Sequence, residues 1–246
     1  MSVRLLGLDF ADLDAAGAAD LIAQRPAGAP FGYVVTPNAD HLVRLARHPD
    51  LRGLYENAWL RLLDSRVVAG AARLLGLPAP RVAPGSDLTA LLVAGHLGRD
   101  EPLTVVGLRA VWLPALARRC RRNPIAHHDP PMGFEHDPAS FRAAVDFVIA
   151  NPARLTLIAT GSPRQEKLAA AIAASGRARG LGLCVGASLE FLAGAAPRAP
   201  AWMQRGGLEW LHRLAADPRR LARRYLVEDL AVFRLLVDEW RESRRP

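Results

Sequence analysis

Short apolar, often β-branched runs recur along the chain: FGYVVT at 31–36, WLRLL at 59–63, LTVVG at 103–107, LTLIAT at 155–160 and LGLCVG at 181–186. Between them the apolar residues fall at helical spacing, as in Leu42, Leu45 and Ala46, or Phe141, Val145 and Val148. Strands that alternate with helices admit few architectures. They predict an α/β fold with a Rossmann-like, largely parallel sheet and flanking helices. The opening SVRLLGL is expected to add an edge strand.

Beyond about residue 195 the alternation stops. After AGAAPRAP the chain reads helical to its end, with Leu226, Leu230, Phe233, Val237 and Trp240 on one face. The expected division is therefore a catalytic α/β body over 1–195 and an arginine-rich, amphipathic helical appendage over 196–246. From Arg198 to Arg224 the appendage holds seven arginines and two acids, Glu209 and Asp217. A solvated helix face has no use for Trp202, Met203 and Trp210, and a plain core helix does not tolerate Arg219, Arg220, Arg223 and Arg224 together. Trp202, Trp210, Leu211 and Leu214 are expected to pack on the body. Arg213, Arg219, Arg220, Arg223 and Arg224 form the set expected to meet ligand or lipid.

Half of the 246 residues are hydrophobic, enough to bury a sizeable core and to exclude global disorder. The net charge is +8 and the pI about 10.7, which points to an anionic partner. All basic residues but Lys167 are arginine, as a GC-rich coding bias produces, yet bias does not explain the clustering near the C-terminus. Two cysteines, Cys120 and Cys184, make neither a disulfide framework nor a metal spacing, so a reducing cytosol is expected. MSVRLLGLDF is charged too early for a secretory signal. No uncharged run approaches the roughly 18 apolar residues of a spanning helix. The expectation is a protein that is soluble or rests on a membrane surface.

Ligands of open parallel sheets bind at the carboxyl ends of the strands, where helix N-termini present free N–H groups. In GSPRQE (161–166), Gly161 turns the chain, Ser162 can cap, Pro163 suits the first helical position, and Gln165 serves either a capping box or a pocket. Thr36 and Asn38 follow the strand at 31–36, Asn38 with a helix cap as its alternative. Asp64 ends the run at 59–63 ahead of the potential cap Ser65. It is either a carboxylate favouring a helix dipole or a general base. APGSDL opens another helix with Gly85 and Ser86, an anion nest of low specificity. Other signals fail. GLGLCVG lacks the G-x-G-x-x-G spacing and reads as core. Asp12 to Asp14 mimic a metal-binding D-x-D but read as helix capping. His127, His128, Asp129 and His136 lack a helical metal-ligand spacing in a proline-rich segment. No metal and no cofactor are expected.

TPNADH (36–41), LLD (62–64), RVAPGSDL (81–88), GSPRQE (161–166) and RAPAWMQRGGLEWLHRLAADPRR (198–220) resemble, in order and spacing, the WecG/TagA/CpsF glycosyltransferases. PPMGF (130–134) and FLAG (191–194) are also similar to family segments, so the resemblance covers nearly the whole chain. It implies a Rossmann-like domain with a helical C-terminal appendage. It also implies inverting transfer from a UDP-sugar to a polyprenyl-diphosphate-linked saccharide acceptor, in teichoic-acid, common-antigen or exopolysaccharide synthesis. The family's proposed base matches Asp64, its Thr-x-Asn matches Thr36 and Asn38, and its pocket Gln matches Gln165. With these the substrate-binding set takes in Ser86, Asp87, Glu166, Arg213, Arg220 and Arg223. Departures are Ser65 for a Gly, Arg164 for a Lys, Glu190 for an Asp, and Gly107-Leu108 for a glycine pair. The partners expected are the donor, the acceptor and an anionic membrane, with the protein cytoplasmic and peripheral on the inner face. A homo-oligomer is compatible with the same sequence, and no nucleic acid is expected. The alternative is a basic nucleic-acid-binding α/β protein without activity. Against it stand the lack of a recognisable motif and a charge excess gathered in one apolar-threaded segment.

Overall fold

A computed structural model describes residues 1–96, 98, 100–121 and 125–245. Six strands form the main sheet: β3 (Gly32–Val35), β4 (Leu60–Arg61), β5 (Leu103–Gly107), β6 (Ile125–His128), β7 (Leu155–Ala159) and β8 (Leu181–Cys184). Their order is β4-β3-β8-β7-β5-β6, and every neighbouring pair is parallel. All carboxyl ends therefore share one rim, as a parallel sheet with crossover helices requires.

Successive side chains of a strand point to opposite faces, and both faces here are covered. Tyr33, Val35, Val106 and Ile158 enter one core, with Leu168 and Ile172 of the helix Arg164–Ala174. Val34, Val105, Leu157 and Leu183 enter the other, with Leu88 of the helix Gly85–Leu91 and Leu116 of the helix Leu113–Cys120. Gly182 lies in β8 because of space: a Cβ there would stand 2.7 Å from Phe31 Cζ.

The opening segment is not an edge of this sheet. β1 (Ser2–Leu5) and β2 (Leu8–Ala11) pair antiparallel as a separate two-stranded sheet. Leu6 and Gly7 both take positive φ, which is the two-residue turn that fits a hairpin's twist. The run at 59–63 is strand only over Leu60–Arg61, with one isolated bridge from Leu63 to Val82 beyond it. β6 was not foreseen. Its IAHH carries two polar rings, but His127 Nε2 lies 2.8 Å from the Leu108 carbonyl and His128 stacks on Phe147.

The C-terminal segment folds as short helices, Ala201–Arg205, Glu209–Ala216 and Pro218–Arg223, a wider turn over Arg224–Glu228, and a final helix Ala231–Glu242. The wider turn shifts the helical register. Val232 and Leu236 are consequently buried in the body's core, packing on the helices Ala39–Arg47 and Arg66–Leu74. Of the expected face, Leu226, Leu230 and Phe233 are exposed instead. Glu239 accepts a hydrogen bond from Leu6 N at 2.8 Å and ties this helix to the hairpin. Trp202, expected to pack on the body, is 62% exposed, as Leu211 is at 42%. Among the described residues no helix is long and apolar enough to cross a membrane.

Candidate active site

A cleft of about 520 Å³ opens between the strand rim and the C-terminal segment. Its floor comes from the turns after β3, β4, β7 and β8. Asp64 is placed by the backbone: Leu62 N donates to Val35 O at 3.0 Å, Asp64 N to Pro37 O at 3.0 Å, and Ala83 N to Leu63 O at 2.9 Å. These bonds set its carboxyl beside Thr36 and the start of the helix Gly85–Leu91. Gly85 N donates to Asp64 Oδ2 at 3.2 Å. The expected anion nest thus takes the protein's own carboxylate. Gly85 has to be glycine here, since a Cβ would come within 2.8 Å of Thr36 Oγ1. Ser65 caps the helix Arg66–Leu74 by accepting from Val68 N at 3.2 Å.

Burial pushes the Asp64 carboxyl up to about 7. The Gly85 N–H and Arg213 oppose this, while Glu209 and Asp87 add to it. Desolvation wins because one peptide N–H replaces the full water shell of a carboxylate. A base that titrates near neutrality suits proton transfer from a hydroxyl.

Asn38 caps the helix Ala39–Arg47 in a reciprocal box: its Oδ1 accepts from His41 N at 3.4 Å, and His41 Nδ1 accepts from Asn38 N at 3.0 Å. His41 is pushed down to about 4, first by burial, and an accepting Nδ1 needs that neutral ring. Gln165 does not cap. The helix begins at Arg164 with Pro163, not Ser162, at the cap position. Gln165 is 4% exposed and spans two loops: its Nε2 donates to Glu166 Oε1 at 2.8 Å, and its Oε1 accepts from Gly186 N at 2.9 Å. Ser162 Oγ instead accepts from Arg44 Nη1 at 2.8 Å.

The structure gathers Thr36, Asn38, Asp64, Ser86, Gln165, Arg213 and Arg220 around this cleft. It does not bring three others there. Glu166 is buried beneath Gln165, and its carboxyl is pushed up by burial. Asp87 lines a neighbouring depression and pairs with Arg198, which also donates to Ser86 Oγ at 2.9 Å. Arg223 points outward, 85% exposed, and pairs with Glu228 at 3.0 Å. Arg224, one residue on, lines the cleft in its stead. Sequence reasoning missed Asp40 and Arg44. Their i, i+4 spacing in the helix after TPN was the available signal. Arg213 stands over the Phe191 ring at 5.6 Å, and Trp210 meets Tyr225 edge-on at 6.1 Å. The D-x-D look-alike is spent on structure: Asp14 Oδ1 accepts from Gly17 N at 2.9 Å, and Asp12 Oδ1 from Arg81 N at 2.8 Å.

A carboxyl poised near neutrality and several guanidinium groups in one cleft complement an anionic substrate that must lose a proton, the layout of a group-transfer enzyme. The comparison with known families agrees. The model of the glycosyl transferase WecG/TagA/CpsF family matches residues 3–246, essentially the whole chain. The chain belongs to this glycosyltransferase family of cell-surface polysaccharide synthesis.

Proposed function

We propose that the protein is an inverting glycosyltransferase that moves a hexose, N-acetylhexosamine or uronic acid from a UDP-sugar to a polyprenyl-diphosphate-linked saccharide. The observation that carries this reading is the Asp64 carboxyl, raised to about 7 and facing the same cleft as Arg213 and Arg220. In the reaction an acceptor hydroxyl gives its proton to Asp64. Its oxygen bonds to the anomeric carbon from the face opposite the diphosphate. The bond from that carbon to the phosphate oxygen breaks, and the electron pair leaves with UDP. Arg213 and Arg220 offset the charge that gathers on the leaving diphosphate. Thr36, Asn38 and Gln165 shape the donor side of the pocket. Ser86 lies next to Gly85 at the Asp64 end of the cleft.

Leu226, Leu230 and Phe233 are exposed along the cleft itself, and with the outward Arg223 they suit the surface of an anionic bilayer, where the lipid-linked acceptor resides. This supports a peripheral position on the inner face of the membrane as part of the proposal. Family membership removes the support for a nucleic-acid-binding module without activity. A panel of UDP-sugars tests the proposal, with UDP release followed in the presence and absence of a short-chain prenyl-diphosphate saccharide. Release by one donor that depends on the acceptor is expected. Release by none across hexose, N-acetylhexosamine and uronic-acid donors would contradict it.

A further inference from the structure

Where the C-terminal segment meets the body, two arginines from distant parts of the chain converge on one carboxylate oxygen. Arg44 Nη2 donates to Asp40 Oδ2 at 2.5 Å, and Arg224 Nη2 lies 3.3 Å from the same oxygen. Arg44 Nη1 is held by Ser162 Oγ. Arg224 Nε has no hydrogen-bond partner, and the closest Asp229 oxygen to it, Oδ2, is 3.8 Å away. All five side chains line the cleft.

This arrangement leaves Arg224 Nε unpartnered and gives Arg44 one carboxylate oxygen and a hydroxyl in place of two anionic oxygens. A guanidinium presents a planar fork of donors that matches two oxygens at once, and a phosphate satisfies it better than a single shared carboxylate oxygen does. A diphosphate carries enough oxygens for two forks. The carboxylate is also tethered to the first turn of a helix, whereas an arriving phosphate can settle between the two cations. We infer that Asp40 is a stand-in anion, which holds Arg44 and Arg224 poised for a diphosphate group that displaces it. Body and appendage then share one phosphate site, with each supplying a cation. The inference rests on the proposed function only for the source of the diphosphate, donor or lipid-linked acceptor.

The competing account makes the cluster a structural strap between the C-terminal segment and the body. Titration calorimetry with inorganic pyrophosphate separates the two. Displacement predicts that Asp40→Asn, by removing the competing charge, tightens pyrophosphate binding roughly fivefold or more. Arg44→Met and Arg224→Met should each weaken it about tenfold, and Asp40→Asn added to Arg44→Met should restore part of that loss, because it still releases Arg224 from the competing carboxylate. If Asp40→Asn melts within a few degrees of the wild type and binds pyrophosphate no more tightly, the stand-in role is overturned. Should Asp40→Asn fail to fold, Arg224→Met decides, and unchanged pyrophosphate affinity there overturns the site. Titrations with UDP and with a prenyl diphosphate tell donor from acceptor by which of the two loses affinity in Arg44→Met. No sugar transfer by the wild type, with the pyrophosphate pattern intact, would sink the proposed function and leave the anion site standing. Transfer with pyrophosphate binding unaffected by all three changes would do the reverse.

Discussion

Asp64 is costly to keep ionised. Its carboxyl is raised well above the ordinary value by burial, so the folded state holds this proton more tightly than the unfolded chain does. The stabilising contribution of the protonated form is fully present below about pH 4 and is lost as pH rises towards about 7. Asp64→Asn, which has no charge to desolvate, should therefore melt at or above the wild-type temperature at pH 8. Differential scanning calorimetry checks this, and a drop of many degrees would mean that the carboxylate holds the loop together. Gly85→Ala makes a second residue-scale test. Its Cβ would press on Thr36 Oγ1 while meeting Asp64 Oδ2 only in ordinary contact at 3.6 Å, so kcat/KM should fall at least about tenfold through displacement of Thr36 beside the base. Wild-type turnover in that variant would show the contact to be slack. The place of Asp64 at a strand end was legible in LLDS, because the rule that ligands gather at the carboxyl ends of parallel strands needs only strand positions. Its raised proton affinity was not, since it comes first from burial under segments far along the chain, with Glu209 adding to it and Gly85 and Arg213 opposing it.

At the scale of elements, Gln165 joins the loop after β7 to the loop after β8. Gln165→Ala leaves Gly186 N without its acceptor and the Glu166 carboxyl without its donor, at about 1–3 kcal/mol for each buried polar group left unmade. Urea unfolding should show that loss, and UDP binding should weaken with it because the Gly186 loop lines the same cleft. Full stability with weakened binding would reduce Gln165 to a ligand contact alone. Local spacing offered a capping box and a pocket residue with nothing to choose between them. Only the tertiary partner Gly186, in the loop after β8, decides, and no local sequence window contains it. β6 escaped for a related reason: paired histidines in a proline-rich segment carry no apolar run, and the carbonyl that takes His127 belongs to Leu108, just past the neighbouring strand. The cap at Asn38 and the apolar runs of β5, β7 and β8 were legible because their causes are local.

The whole molecule closes on itself through its last helix. Leu236 is 0% exposed and Val232 1%, both in the core that holds Tyr33 and Ile158. Leu236→Ala should cost about 2–5 kcal/mol of unfolding free energy, so cutting the chain near residue 195 should destabilise the body as well as open the cleft. The exposed Leu230 and Phe233 along the cleft make the opposite prediction. Leu230→Ser with Phe233→Ser should leave the melting temperature within a few degrees while attachment to anionic vesicles falls. Vesicle co-sedimentation equal to that of the wild type would show that these residues do not meet the membrane surface. Sequence periodicity put Leu226, Leu230, Phe233, Val237 and Trp240 on one continuous face and passed over Val232 and Leu236. The wider turn over Arg224–Glu228 breaks that continuity and sends Val232 and Leu236 inward.

The central claim is that Asp64 takes the acceptor's proton, and the pH dependence of UDP release with a water-soluble prenyl-diphosphate acceptor tests it most directly. The account predicts that wild-type kcat/KM climbs as pH passes about 7, as the base loses its proton. Asp64→Asn should be folded, slower by roughly 10²–10⁴-fold, and without that limb of the profile. A folded Asp64→Asn enzyme with near-wild-type turnover and the same rise with pH would contradict it.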